Sequence, residues 1–448
     1  MTDDAGQLGQ ALRLLQAGDH AGALDIAQRL RASPTAGARA NMVIGIARRE
    51  EGRLDESLFA LERAATRAGE DYAVFYELGL TQQALGRFGP ARSSFLRAAA
   101  LRPRFAPAHH AAGVVSVALA DFGTAEREYA LACAAAPDDT ALAQKLAQVQ
   151  LLRGRLEAGW KSYARRFHRR QYEAQFAQQG ARYEVPSLDQ LAGRRVMVLG
   201  EQGLGDNPFF LRYAPVLQAV GAQAEYVGDE RLHSLVARAG LFTRLHSDRV
   251  AVPLEGAVPV LLGDLPLLDS ALAQSHPVSL AIAPRAEVLE RVRERLAAAG
   301  PPPWTGVTWR AGVAPETGGL AQQLPAEMLF GALRAQPGTV VSLQRAPLEG
   351  EIARASSALG RAVHDFESIN ADLEEALALV ALLDRHVAVS NTNIHLAAAA
   401  GAKADVLVQF PPEWRWGLEG PSPWFPAFRT FRQAASGDWS AALEALAH

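Results

Sequence analysis

Small and apolar positions recur along the first third of the chain at a spacing of 34 residues. Gly18, Gly52, Gly86, Ala120 and Gly154 mark the pitch. Two residues after each stand His20, Leu54, Phe88, Phe122 and Leu156. Five after each stand Ala23, Ser57, Ala91, Ala125 and Gly159, and nine after each stand Ala27, Leu61, Phe95, Tyr129 and Tyr163. A period of this length with helical spacing inside it predicts two antiparallel helices per period. The small residues are expected to let the paired helices touch, and the aromatic ones to fill the gap to the next pair. Pro34, Pro103 and Pro137 fall where the second helix of a pair must stop. The pulse ends before residue 200.

Helix pairs at this pitch are the grammar of tetratricopeptide (TPR) repeats. The pattern predicts an α-helical TPR solenoid over residues 1–170, with about five repeats. Such stacks bury a continuous core only through their neighbours, and their groove usually holds another protein. Arg165, Arg166, Arg169 and Arg170 close the last period. They read as a basic cluster complementing a helix C-terminus, in preference to an anion site. Residues 171–190 are glutamine-rich and then turn-like, and read as a joint.

After Gly193 the period changes. Short apolar runs at 194–200, 222–228 and 258–264 predict strands, with helical stretches between them. An amphipathic helix over 285–300 and the break GPPPW lead into a second series. Strand candidates there lie at 305–312, 338–344, 361–366, 386–393 and 404–410. Strands alternating with helices imply parallel sheets with right-handed crossovers. The expectation is two Rossmann-like halves, 191–298 and 299–448, with a ligand crevice at the C-terminal ends of their strands.

Composition narrows the function classes. The 448 residues are 49% hydrophobic with a formal net charge of −3. That supports large cores and gives no push toward nucleic acid or anionic membranes. The single cysteine, Cys133, excludes an internal disulfide and reads as a buried thiol. No zinc-type Cys/His spacing is present, so no metal is expected. A signal peptide and a membrane-spanning run are both missing from the pattern, which makes the cytoplasm the default address.

Five stretches carry candidate chemistry. Gly200 to Asp206, with Gly203 and Gly205, follows a strand and opens a helix. Its glycine order is G-x-x-G-x-G, neither the dinucleotide fingerprint nor a Walker loop. Asp206 reads either as a helix N-cap or as a carboxylate that takes a proton from an attacking hydroxyl. Ser390, Asn391, Thr392 and Asn393 open another helix, suited to capping or to a diphosphate. His395, one turn in, is more often a packed histidine than a ligand. Arg310 and the pair Gln344 and Arg345 end strands and offer either phosphate contacts or ion pairs. Trp414 and Trp416, followed by PSPWFPAF, suit either stacking on a base or sugar, or packing of the returning chain.

In these stretches the chain resembles bacterial TPR-containing glycosyltransferases of the GT-B fold, in the heptosyltransferase-like and O-GlcNAc-transferase-like group. The matching segments are GEQGLGDNPFFLRY, VVSLQR, VAVSNTNIHLAAAAG and PPEWRW followed by SPWFPAFRTFRQ, in that order. The resemblance implies that Asp206 is the catalytic base and that Ser390–Asn393 hold a donor diphosphate. It also implies that Gln344 and Arg345 face the nucleotide. Gly203, Gly205, Arg310, His395, Trp414 and Trp416 complete the candidate donor site. Two departures stand out: Ser390 replaces a frequent acidic residue, and the loop 313–325 lacks lysine and arginine.

The implied function is metal-independent transfer of a sugar from a nucleoside diphosphate sugar to a protein acceptor selected by the TPR arm, with no further cofactor. The alternative is a TPR adaptor with a degenerate, non-catalytic GT-B-like part. A third reading, a Rossmann oxidoreductase with Glu225 on the ribose, is opposed by the glycine order and by the second α/β half.

Overall fold

A computed structural model describes residues 4–178, 180–201, 203–250, 254, 256–311 and 324–448. The chain forms two units, Met1–Val149 and Gln150–His448. The boundary falls inside the helix Thr140–Leu152, about twenty residues before the expected end of the solenoid.

In the first unit the helices pair as the pitch predicts. Asp4–Gln16 pairs with His20–Leu30, Gly37–Glu50 with Leu54–Ala65, Tyr72–Ala84 with Phe88–Leu101, and Ala106–Ala118 with Phe122–Ala135. This region is TPR-like, an interaction fold. The pitch-marking residues sit in left-handed turns that end the first helix of each pair: φ is 80° at Gly18, 76° at Gly52, 71° at Gly86 and 58° at Ala120. Their role is therefore conformational, not close packing as expected, because a positive φ favours glycine. Close packing is supplied by Gly45, Gly79 and Gly113. A Cβ there would lie 2.4 Å from Leu61, 2.6 Å from Phe95 and 2.6 Å from Tyr129. Those three side chains are buried against the first helix of their own pair. Leu61 also shares a core cluster with Val74 and Leu78, and Phe95 one with Ala111, Ala112 and Val115, so these two reach the next pair as expected. Asp19, Asp71 and Asp121 cap the helices that follow them.

Among the described residues the second unit holds two all-parallel sheets. The first contains β1 (Arg195–Leu199), β2 (Gln223–Gly228), β3 (Arg244–Ser247) and β4 (Val258–Leu261), in the order β3-β2-β1-β4. The second contains β5 (Trp304–Thr308), β6 (Thr339–Ser342), β7 (Val363–Asp365), β8 (Arg385–Val389), β9 (Asp405–Val408) and β10 (Arg429–Arg432). Its order, β7-β6-β5-β8-β9-β10, is that of a doubly wound α/β sheet. Edge strands β3 and β10 carry no apolar run and were not expected.

The expected joint is not a free linker. Phe176 and Tyr183 are buried against Met197, Leu199, Val227 and Leu261 of the first sheet. The C-terminal helix Ser440–Ala447 packs Leu443 and Leu446 against Val307, Phe330 and Leu407 in the core of the second.

Candidate functional site

In a doubly wound sheet, ligands bind where the strand order reverses. In the first sheet this point lies between β1 and β4, and buried ion pairs fill it. Arg166 donates to Asp264 at 2.7 Å and also to Glu201. Arg169 donates to Asp264 at 3.1 Å, and the Tyr183 hydroxyl donates to the same carboxylate at 2.9 Å. The side chains of Glu201 and Asp264 have no exposed surface. Burial pushes Glu201 above its ordinary pKa, against the pull of Arg166. The basic cluster expected at a helix end thus serves partly as counter-charge to two buried carboxylates.

The second sheet reverses between β5 and β8, and there the described residues line a cavity of about 340 Å³. Its lining includes Trp309, Arg310, Ser390, Glu413, Trp416 and Trp439. Among the described residues, Arg310 Nε, Trp416 Nε1 and Trp439 Nε1 are buried N–H groups with no acceptor. Such groups cost free energy unless something arrives to accept from them.

The expected site residues sort as follows. Asp206 is the first residue of the helix Asp206–Leu211, whose N-cap is Gly205. It is not a side-chain cap; instead it accepts a hydrogen bond from Arg415. Gly203 is open, whereas a Cβ on Gly205 would lie 3.3 Å from Thr392 Oγ1 and 3.4 Å from His395. The glycine turn therefore abuts the start of the helix Thr392–Ala399, across from the first sheet. Asn391 caps that helix through Ile394 N at 3.2 Å.

Asn393 is buried and bonds Asn370, which takes it away from a ligand. His395 is buried between Phe209 and Phe425, with centroids at 6.1 and 5.6 Å. Burial, then the Arg415 and Arg212 charges, push its pKa well below the ordinary value, so the ring is neutral. Gln344 is fully buried and occupied by backbone: it accepts from Arg310 N at 2.9 Å and donates to the Arg345 carbonyl at 3.0 Å. Arg345 itself is exposed.

The two tryptophans pack the returning chain. Trp414 stands edge-on to Phe209 at 5.1 Å, Trp160 at 5.5 Å and Trp424 at 5.6 Å, which closes it to a nucleobase. Trp416 is stacked on Phe425 at 5.2 Å and reaches the cavity wall. Glu225 receives Arg195 at 2.7 Å and pairs with His246 at 2.6 Å, leaving no ribose role. Of the loop 313–325, residues 313–323 lie outside the described residues.

Sequence reasoning gave no role to Glu413 and Arg415, which tie these pieces together. Ser390 Oγ donates to Glu413 at 2.8 Å. Arg415 donates to both Glu413 and Asp206, with its guanidinium 4.6 Å from the Phe209 and Trp414 ring centroids. Burial works against the Arg415 charge, but Glu413 and Asp206 outweigh it and raise its pKa. Glu413 also places a carboxylate on the serine that stands where an acidic residue was expected.

No known family model matches the chain. The chain is 29% identical over 435 residues to Protein FlbA of Caulobacter vibrioides, covering 90% of this chain and 71% of that protein. The crystal structure of MamA aligns at 17% identity and TM-score 0.33, over 37% of this chain and 97% of that one. A thermophilic TPR protein of Thermus thermophilus aligns at 21% identity and TM-score 0.30, over 39% of this chain and 96% of that one. The fold described above rests on its own helices and sheets. Among the described residues, no helix is long and apolar enough to cross a membrane.

Proposed function

We propose that the α/β unit is a GT-B glycosyltransferase that takes a nucleoside diphosphate sugar into the cavity at β5, β8 and β9. The TPR-like repeats would gather its protein acceptor. One observation carries this reading: the cavity sits at the strand-order reversal, and three of its lining residues keep buried N–H donors without acceptors. A diphosphate is rich in acceptors and suits such a lining.

In the proposed reaction an acceptor hydroxyl gives its proton to Asp206 while its oxygen bonds the sugar C1. The bond from C1 to the diphosphate oxygen breaks, and the nucleoside diphosphate leaves with the electron pair. Asp206 ends protonated and returns its proton to solvent. The Asp206 side chain is 34% exposed, which leaves it accessible to an acceptor.

Isothermal titration of the full chain with ADP, GDP, UDP and CDP tests the reading. It requires at least one to bind and the matching nucleoside to bind more weakly. No binding by any of them sinks it.

A second reading has its own support. Arg310 is committed to Glu351, and Trp414 and His395 are sealed between the two sheets. These features suit an adaptor whose α/β unit is a scaffold. That reading requires the full chain to retain a protein partner while binding none of the four diphosphates.

A further inference from the structure

We propose that Arg415 is a shared cation, held by Asp206 and Glu413 while the donor cavity is empty and transferred to the diphosphate when the donor enters. The proposal rests on the donor site argued above.

The charges around the cavity motivate it. Arg310, the cation in the lining, already donates to Glu351 at 2.7 Å. Glu413, also in the lining, is a carboxylate with its side chain 35% exposed. An entering diphosphate therefore meets one neutralised cation and one like charge. Like charge disfavours binding unless a cation compensates. Arg415 is the adjoining cation and already bonds Glu413. Its Nε–H has no acceptor among the described residues, so its donor set is not exhausted. The Phe209 and Trp414 rings hold the guanidinium by apolar and cation–π contact that does not depend on which anion takes its edge.

The transfer links donor binding to the acceptor side of the site. A diphosphate that recruits Arg415 takes away the ion-pair partner of Asp206 and leaves its carboxylate free to meet the acceptor hydroxyl. The same movement puts a positive charge beside the leaving diphosphate. Ser390, bonded to Glu413, lies on the path by which the donor would be sensed.

The test uses the full chain and whichever of ADP, GDP, UDP and CDP binds the unmodified protein. Asp206→Asn and Glu413→Gln each remove a competitor for Arg415. Each is expected to tighten diphosphate binding about three- to fivefold, the scale of one partly exposed ion pair, with no change for the matching nucleoside. Arg415→Gln is expected to weaken the diphosphate about tenfold or more, and to cancel the gain from Asp206→Asn when the two are combined. Arg415→Lys, which keeps the charge, should restore part of the loss. If Arg415→Gln does not fold, the two carboxylate variants decide alone. Unchanged or weaker diphosphate binding in both overturns the transfer while leaving the donor site standing. No diphosphate binding in the unmodified chain overturns both.

Discussion

The Arg310 guanidinium donates to Glu351 at 2.7 Å, and the Trp309 indole donates to the same carboxylate oxygen at 2.7 Å. Glu351 also accepts from Leu348 N at 2.7 Å. Although burial raises its pKa, these bonds prevail and leave it lowered, so the pair is ionised. Both side chains are nearly inaccessible, at 5% and 8%.

Breaking such a pair leaves a buried charge behind. Arg310→Met should therefore destabilise the chain by about 3 kcal/mol. Arg345→Met, at an exposed position, should change stability by less than about 0.5 kcal/mol. Urea unfolding compares the two directly. Equal effects would mean that Arg310 is not structurally committed.

Ala120 offers a test of the repeat turns. It holds φ at 58°, where the equivalent turns of the other pairs use Gly18, Gly52, Gly86 and Gly154. An L side chain in that region costs roughly 1–2 kcal/mol, partly offset by the lower entropy of alanine in the unfolded chain. Ala120→Gly should therefore raise stability by about 0.5–1 kcal/mol, seen as a higher urea midpoint with an unchanged slope. A lower midpoint would show that the alanine methyl contributes more than the turn strain costs.

Much of the architecture is legible in the chain because it rests on periodic burial. The 34-residue pitch locates the second helix of each pair, and the apolar runs at β1, β2, β4, β5, β6, β8 and β9 mark strands. Strands β3 and β10 carry RLHS and RTFR at sheet edges, where one neighbour suffices and no apolar run is needed. The packing glycines were available to sequence reasoning: Gly45, Gly79 and Gly113 recur at the same pitch, and Ala147 continues them. The heart of the site was not. Arg415 reaches Asp206 across 209 positions of sequence, and nothing local in PPEWRW marks that arginine over its tryptophans. Gln344 and Asn393 illustrate the converse, since a polar side chain at a strand or helix end is often occupied by its own backbone and neighbours.

His386 sets an acid limit on the second sheet. It is buried on β8 with neither ring nitrogen bonded among the described residues. Burial lowers its pKa from 6.5 to about 4, against a smaller upward pull from Asp405. Between those values the unfolded chain binds a proton that the folded chain does not, so stability falls as pH falls from 6.5 toward 4. The span corresponds to roughly 3 kcal/mol at most. His386→Met, which does not titrate, should flatten this slope in urea unfolding at pH 7, 6, 5 and 4. An unchanged slope would assign the acid sensitivity elsewhere.

Asp206→Asn separates chemistry from architecture. The substitution keeps the size of the side chain, and an amide oxygen can still accept from Arg415, so the contact between the two sheets should survive. Thermal unfolding should shift by only a few degrees, since the side chain is a third exposed and its ion pair is worth about 1 kcal/mol or less. Transfer should fall by about 10²–10⁴-fold, the usual contribution of a positioned general base. The measurement is sugar incorporation into a protein acceptor from a donor whose diphosphate binds the unmodified chain. Loss of turnover with an intact fold and donor affinity at least as high assigns the proton to Asp206. Turnover at the unmodified rate would reduce Asp206 to a structural partner of Arg415. Loss of both fold and turnover would be read through Asp206→Glu, which keeps the charge and should recover the fold before it recovers the rate.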